Sequence, residues 1–377
     1  MKIVYLITKS EIGGAQSHVL ELLKEGSRLG FDVSLISSPG GWLENQCVDL
    51  NIKFISNKFF KNSYNPINLL KAIIEVRRVV KEIKPDVIHC HSGGGGFYGR
   101  LAAFGLPVKK VFTVHGWSFR PGAPFFQRVV SFVAEFLMKS LTDKVICVSN
   151  YDQNIGINSG VINKKSSIVI HNGVVVPEIS EKKDDKLNIL FVGRLAPPKR
   201  QDIFLKSISL LSSDIKNKIN VEILGDGFKK KDIEIMINNL NLKDLVSMEF
   251  PKFELMNKKY SHADIIVLIS DYEAFPMVII EAMSYGVPVV TSSVGGIPEV
   301  VDSSVGLLIK KNTPEDFTSA LESLILNSEE RKEKGLNARE RIQGNFTLEK
   351  MLEKTFAVYS ELMSENNLNR LDDNSKI

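Results

Sequence analysis

The stretch Ser270-Asp-Tyr-Glu-Ala-Phe-Pro-Met-Val-Ile-Ile-Glu-Ala-Met-Ser-Tyr-Gly-Val-Pro-Val-Val-Thr-Ser-Ser-Val-Gly-Gly-Ile-Pro-Glu-Val300 decides the reading of the chain. It follows a short apolar run, Asp264 to Ile269, which reads as a buried parallel strand. The next loop carries Glu273. Pro276 suits the first turn of a helix, where a missing N–H costs nothing. That helix is expected to run to about Tyr285 and stop at Gly286, with Pro288 just beyond. Val289 to Thr291 is a second buried strand, and Gly295-Gly296 a tight loop opening onto a short helix near Pro298. Glu273 therefore falls at the carboxyl end of a strand, where open α/β sheets bind ligands. Glu281 sits among Ile279, Ile280, Ala282 and Met283. It is either a solvent-facing or salt-bridged helix residue, or a buried carboxylate that needs hydrogen-bond donors such as sugar hydroxyls. The N–H groups from Phe275 through Met277 to Val278 could hold a phosphate or a hydroxyl.

Glu273 and Glu281, with seven residues between them, resemble the E-x7-E signature of the retaining glycosyltransferases of family 4. The resemblance continues through Glu281-Ala-Met-Ser-Tyr-Gly-Val-Pro-Val-Val290 and Gly295-Gly-Ile-Pro-Glu-Val-Val301, and covers nearly the whole chain. It implies an α/β protein of GT-B architecture, two Rossmann-like domains facing a central cleft, with the nucleotide-sugar held mainly by the second. It also implies a metal-independent reaction on the donor's own face, in which the leaving phosphate takes the acceptor's proton. Glu273 would bind donor-sugar hydroxyls and Glu281 the ribose.

Length and composition agree with two soluble domains: 377 residues, 44% hydrophobic and 24% charged. No apolar run reaches a membrane span, and Met1 to Thr8 reads as a first strand rather than a leader. Cys47, Cys90 and Cys147 form no disulfide framework, so the expected compartment is the cytoplasm. Residues 1–180 hold 21 Lys and Arg against 13 Asp and Glu; the remainder holds 27 against 31. The basic first half suggests an anionic partner, either lipid headgroups or a diphosphate-linked acceptor. No recognition helix or single-strand-binding motif speaks for nucleic acid.

The expected division is 1–180 for a first, acceptor-side domain and 181–346 for a nucleotide-sugar-binding domain. A final helix over 347–363 is expected to pack back on the first, ahead of a polar tail over 364–377. In the first domain, Gly13-Gly14 at a strand-to-helix turn allows backbone to approach a ligand or simply makes the turn; the resemblance puts this loop near the donor phosphates. His89 and His91 lie on one face of a strand and Cys90 on the other, so strand geometry supplies no metal triad. Gly93 to Gly96 precede a helix expected over Phe97 to Phe104, where they contact a phosphate or allow close packing, the second being favoured. His115 ends a strand beside Gly116, the position that the resemblance assigns to donor-sugar positioning. Trp117 to Arg128 mixes aromatic and basic residues. It is either a surface for lipid or a lipid-linked sugar, with Trp117, Phe119 and Arg120 as contacts, or a loop whose aromatics enter the core.

In the second domain, the strand Leu187 to Gly193 runs into Arg194-Leu-Ala-Pro-Pro-Lys199-Arg200. Cations at a helix amino end make an anion site. The resemblance gives Arg194 and Lys199 to the donor diphosphate, with Arg200 the solvent-facing member. Gly225 is a turn near the nucleotide, and Phe253 borders the base in relatives, although Pro251-Lys252 departs from the family pattern there. No D-x-D motif appears, so neither a metal nor a cofactor is expected beyond the nucleotide-sugar co-substrate. The leading expectation is a retaining transferase moving a sugar from a UDP-sugar to a lipid-diphosphate-linked oligosaccharide of O-antigen or capsule, peripheral at the cytoplasmic face of the inner membrane. A soluble synthase or epimerase of the same fold, and a non-catalytic nucleotide-sugar-binding protein, are the alternatives. An oxidoreductase is disfavoured, since no G-x-G-x-x-G follows either first strand.

Overall fold

A computed structural model describes residues 1–62, 65–178, 185–250 and 255–374. Contacts divide the chain into two units, Met1–His171 with Lys350–Ile377, and Asn172–Glu349. In unit 1 the strands are β1 (Lys2–Leu6), β2 (Asp32–Ser37), β3 (Lys53–Ser56), β4 (Val87–His91), β5 (Lys109–Val114), β6 (Lys144–Cys147) and β7 (Ser167–Val169). Its helices are α1 (Gly14–Arg28), α2 (Trp42–Asp49), α3 (Pro66–Ile83), α4 (Ser92–Ala102), α5 (Phe125–Met138) and α6 (Asn150–Asn158). The sheet is parallel throughout, in the order β3-β2-β1-β4-β5-β6-β7.

Unit 2 repeats the plan with β8 (Leu187–Val192), β9 (Ile219–Leu224), β10 (Val246–Glu249), β11 (Ile265–Leu268), β12 (Val289–Ser292) and β13 (Gly306–Ile309). Its parallel order is β10-β9-β8-β11-β12-β13. The helices between and after these strands are α7 (Gln201–Leu210), α8 (Ser213–Lys216), α9 (Lys230–Asn239), α10 (Met256–His262), α11 (Met277–Ser284), α12 (Pro314–Leu326) and α13 (Ser328–Asn345). Helix α14 (Leu348–Asn374) closes the chain. The strands read as continuous apolar runs because helices cover both faces; β11 and β12 are wholly buried.

Several ends follow local chemistry. Ser149 caps α6 by accepting from Asp152 N, and Asn65 caps α3 by accepting from Ile67 N. Gly286, at φ +75°, ends α11 as the sequence implies. Pro276 is the residue before α11 rather than within its first turn, at φ −73° and ψ 120°. The α14 helix continues past Met363 to Asn374, with no Gly or Pro to interrupt it.

The glycine run also differs from its reading. Gly93 to Gly96 lie inside α4, which begins at Ser92. A Cβ on Gly95 would stand 2.8 Å from Leu6 O, and one on Gly96 would stand 2.5 Å from the Phe112 ring. Close packing of α4 on the sheet is what requires them, and it offsets the roughly 1 kcal/mol that each helical glycine costs relative to alanine. All three cysteines are buried and unpaired; burial pushes the Cys47 thiol up to about 11 and the Cys90 thiol up to about 12.

Candidate functional site

In unit 2 the strand order reverses between β8 and β11, which opens a crevice at their carboxyl ends. The loops leaving those strands are laced by backbone. Lys199 and Ser270 form an isolated bridge, Arg200 N donates to Ile269 O at 2.9 Å, and Asp271 N donates to Pro198 O at 2.9 Å. This lacing sets Lys199 Nζ 2.6 Å from Glu273 Oε1, with side chains only 14% and 12% exposed. Behind Glu273, Gly296 N donates to the Glu273 carbonyl at 3.1 Å. Gly295, at φ +58°, brings its backbone so close that a Cβ there would stand 1.7 Å from the same oxygen. Gly225 is required by a similar approach, since its Cβ would meet Gly193 O at 2.1 Å.

Arg194 exposes its side chain, and among the described residues no carboxylate pairs with it. Its carbonyl is held by Gln201 Nε2 at 3.0 Å. Arg200 is about one-third exposed, but Asp202 at 2.8 Å and Asp271 at 3.1 Å occupy its guanidinium. The loop thus offers one exposed cation in Arg194 and one ordered cation in Lys199. Arg200 serves to tie the two loops together.

Helix α11 begins beside Glu273. Its first N–H groups, at Met277 and Val278, have no acceptor within the helix, while Ile279 N is taken by Pro276 O at 3.2 Å. The Phe275 ring is buried 5.4 Å from Phe346, and its carbonyl accepts from Asn172 Nδ2 at 3.0 Å, so Phe275 can offer a ligand backbone only. One turn on, Glu281 is half-buried and accepts from Tyr260 Oη at 2.7 Å. Burial raises the pKa of Glu281, and the Tyr260 hydrogen bond opposes that rise. A second donor, such as a ribose hydroxyl, would stabilise the carboxylate further. Phe253 lies outside the described residues.

Unit 1 reverses its strand order between β1 and β4, and a different chemistry fills that point. Gly13 precedes α1 in extended conformation and Gly14 begins it. Helix α1 carries the buried His18, β4 ends in the buried His91, and β5 leads into the half-buried His115. His91 Nδ1 and His115 Nε2 are 3.2 Å apart, and one ring nitrogen from each of the three residues lies within 4.8 Å of the others. The His18 ring stands 5.0 Å from that of His115, edge-on. His89 is a satisfied core residue between Tyr359 and Thr113, the latter at 2.7 Å.

Burial, then the neighbouring imidazoles, pulls His91 and His115 well below the ordinary histidine value; for His89 the causes are burial and His18. His89, His91 and His115 are therefore neutral near pH 7. Strand geometry on its own predicts no metal triad, yet the structure brings three imidazoles together. The other two come from a helix and a neighbouring strand, which period-two alternation along β4 cannot show. This is the one such grouping among the described residues. Three imidazole nitrogens suit zinc, copper or nickel better than magnesium, which prefers carboxylate, phosphate and water oxygens.

The surface reading of Trp117 and Phe119 is corrected. Trp117 is 2% exposed and donates from Nε1 to Asp152 O at 2.7 Å; Phe119 is 8% exposed, with its ring 5.0 Å from that of Trp117. Both belong to the core of unit 1. Arg120 is half-buried and donates to Trp117 O at 3.4 Å. The apolar surface lies on α5: its first residues, Phe125 to Arg128, belong to the stretch read as a possible lipid surface and are exposed, whereas the rest of the helix was not assigned from the sequence.

Comparisons with known proteins agree with this architecture. Residues 12–176 match the family model described as Glycosyltransferase Family 4, and residues 176–341 match Glycosyl transferases group 1. The chain is 32% identical over 360 residues to an uncharacterized glycosyltransferase of Methanocaldococcus jannaschii, covering 93% of this chain and 95% of that protein. It is 28% identical to an O-antigen biosynthesis glycosyltransferase of Escherichia coli, covering 92% and 95%. It is 27% identical to the UDP-Gal:alpha-D-GlcNAc-diphosphoundecaprenol alpha-1,3-galactosyltransferase of that organism, covering 96% and 97%. Among solved structures it is similar to the Thermosynechococcus elongatus sucrose-phosphate synthase, with a TM-score of 0.85 at 19% identity, covering 97% and 99%. Anabaena HepE in complex with UDP and glucose gives 0.83 at 18%, covering 96% and 100%.

Proposed function

The chain belongs to the family 4 glycosyltransferases, of GT-B fold, and from that premise we propose that it moves a sugar, with retention, from a UDP-sugar to a lipid-diphosphate-linked oligosaccharide of a surface polysaccharide. The observation that carries the site is the Lys199–Glu273 pair at the β8/β11 switch point, with the exposed cation of Arg194 on the same loop. Lys199, Arg194 and the first N–H groups of α11 would hold the diphosphate leaving group. Glu273, held in place by Lys199, would accept from sugar hydroxyls, and Glu281 from the ribose. His115, neutral at working pH, suits a hydrogen bond to a sugar hydroxyl rather than charge neutralisation. In the step itself the bond from the anomeric carbon to the phosphate oxygen breaks and the bond to the acceptor oxygen forms on the same face. The acceptor's proton passes to the departing phosphate oxygen. Cationic side chains and the helix terminus carry the leaving-group charge, so no metal is required. An acceptor joined to an undecaprenyl-type diphosphate would place the work at the cytoplasmic face of the inner membrane; the polyprenyl-diphosphate acceptor in the name of the 27%-identical relative supports this choice.

The test is a panel of UDP-sugars with a synthetic lipid-diphosphate sugar, with and without chelator, read by product mass and anomeric configuration. An acceptor-dependent mass gain with retained configuration, unaffected by chelator, is expected. Turnover onto a soluble sugar phosphate instead would move the assignment to a soluble synthase. Interconversion of the UDP-sugar without transfer would mark an epimerase. Binding without turnover on UDP-, GDP- and ADP-sugars would leave a nucleotide-sugar-binding protein.

A further inference from the structure

Helix α5 is turned inside out relative to an ordinary surface helix. Its apolar side chains Phe125, Phe126, Val130, Val133, Phe136 and Leu137 are between 48% and 80% exposed. At 100° per residue they fall within a sector about 140° wide. The opposite side carries its two buried residues, Glu135 and Met138. Glu135 is held by Arg100 of α4 at 2.8 Å, and Arg100 also donates to Gly96 O at 2.7 Å and lies over the Phe112 ring. Phe132 touches the core edge through Phe119, ring to ring at 5.9 Å. An ion pair thus anchors the helix to unit 1 while its apolar face points away from the protein. A contiguous apolar patch of this kind marks an interaction surface.

We infer that α5 is an interfacial membrane anchor that lies flat on an anionic bilayer, its phenylalanine face in the acyl boundary and its cations at the headgroups. Fourteen residues make a helix of about 21 Å, too short to cross a hydrocarbon core of about 30 Å. No helix among the described residues is long and apolar enough to cross. Charge selects the anionic leaflet over a neutral surface. Arg128 and Lys139 are exposed on and just beyond the helix, and its one acid, Glu135, is neutralised from inside. The excess of 21 cations over 13 anions in residues 1–180 acts in the same direction. The inference rests on the lipid-linked acceptor for its purpose, since it would hold unit 1 at the surface that presents that substrate.

The test uses the full chain in flotation with phosphatidylcholine vesicles, with and without about one-third phosphatidylglycerol. Wild type is expected to float at least about tenfold better with the anionic lipid, falling as salt rises. Phe126→Ser/Phe136→Ser should abolish flotation without lowering the melting temperature. Arg128→Glu/Lys139→Glu should remove the preference for anionic lipid. Turnover on a water-soluble, short-prenyl acceptor should be unchanged in both double variants. A wild-type protein that floats with neither vesicle overturns the inference. So does a stable dimer by light scattering that the serine variant converts to monomer, because α5 would then face a second copy. Flotation without transfer to any acceptor would fail the function reading and leave the anchor standing.

Discussion

The two sheets reverse strand order at equivalent places and fill them in opposite ways. Between β8 and β11 the chain sets a full charge pair, Lys199 and Glu273, with Arg194 beside it. Near the β1/β4 reversal it sets imidazoles whose charge burial removes. The same fold thus builds one site suited to an anionic leaving group and one suited to uncharged hydroxyls. Fold gives the location, and side-chain electrostatics give the task. If the comparison is right, charge should be indispensable in the first site and unwelcome in the second.

The largest effect is expected at the charged site. Lys199→Ala and Glu273→Ala should each lower kcat by about a thousandfold, the scale of losing one preorganised group at a developing charge. Melting temperatures should change little, since both side chains sit at a loop crevice rather than in the core. Single-turnover rates with saturating donor would check this; rates within a few-fold of wild type for both variants would remove the pair from the chemistry.

Next comes the pH dependence of stability. His89, His91 and His115 have folded pKa values below the ordinary value of 6.5. Between that value and their folded values the unfolded chain binds more protons, so stability falls as pH drops below 6.5 and is fully present above it. The slope is at most about 1.4 kcal/mol per pH unit for each histidine kept neutral. Glu135 and Glu281, whose pKa values are raised by burial, act in the opposite sense above 4.5. Calorimetry between neutral and mildly acid pH should show a falling melting temperature, and His91→Asn should flatten it. A flat wild-type profile would mean that the cluster is protonated in the folded protein.

How much of this could be read beforehand differs between the two sites. Lys199 and Glu273 are 74 residues apart, yet both follow strands whose apolar runs are plain, and ligand sites sit at strand ends. The histidine cluster was only half legible. His115 stood out at a strand end, but its partners lie on β4 and α1, and nothing in the local spacing brings His18 to them. Helix α5 was legible only at its start, Phe125 to Arg128, which lie in the stretch read as a possible lipid surface. An apolar helix reads as buried by pattern alone, and only the Arg100–Glu135 anchor shows that this one faces outward.

A third prediction asks whether the neutral site takes part in transfer at all. His115→Ala should reduce kcat/KM about tenfold to a hundredfold, the loss of one well-placed hydrogen bond and its positioning. His115→Asn, which keeps a neutral donor and acceptor, should recover part of it, whereas His115→Lys should not. Recovery by lysine equal to that by asparagine would show that the site tolerates charge, and the contrast between the two switch points would fail.

The smallest effect is expected at Tyr260, and it sharpens the comparison inside unit 2. Glu281 is the partly desolvated acid of that site, its pKa raised by burial and held down by the Tyr260 hydroxyl at 2.7 Å. Tyr260→Phe removes that donor while keeping the ring that packs against Tyr285. The carboxylate then loses one hydrogen bond to a charged group, about 1.5 kcal/mol or roughly tenfold. If Glu281 acts on the ribose, the loss belongs in the KM for the nucleotide-sugar, with kcat preserved, because ribose contacts are equal in ground and transition states. The penalty should also grow as pH falls, since without the tyrosine the acid protonates more readily. A loss confined to kcat would move Glu281 from the nucleotide to the reacting sugar, and would make both acids of the E-x7-E pair part of the charged chemistry.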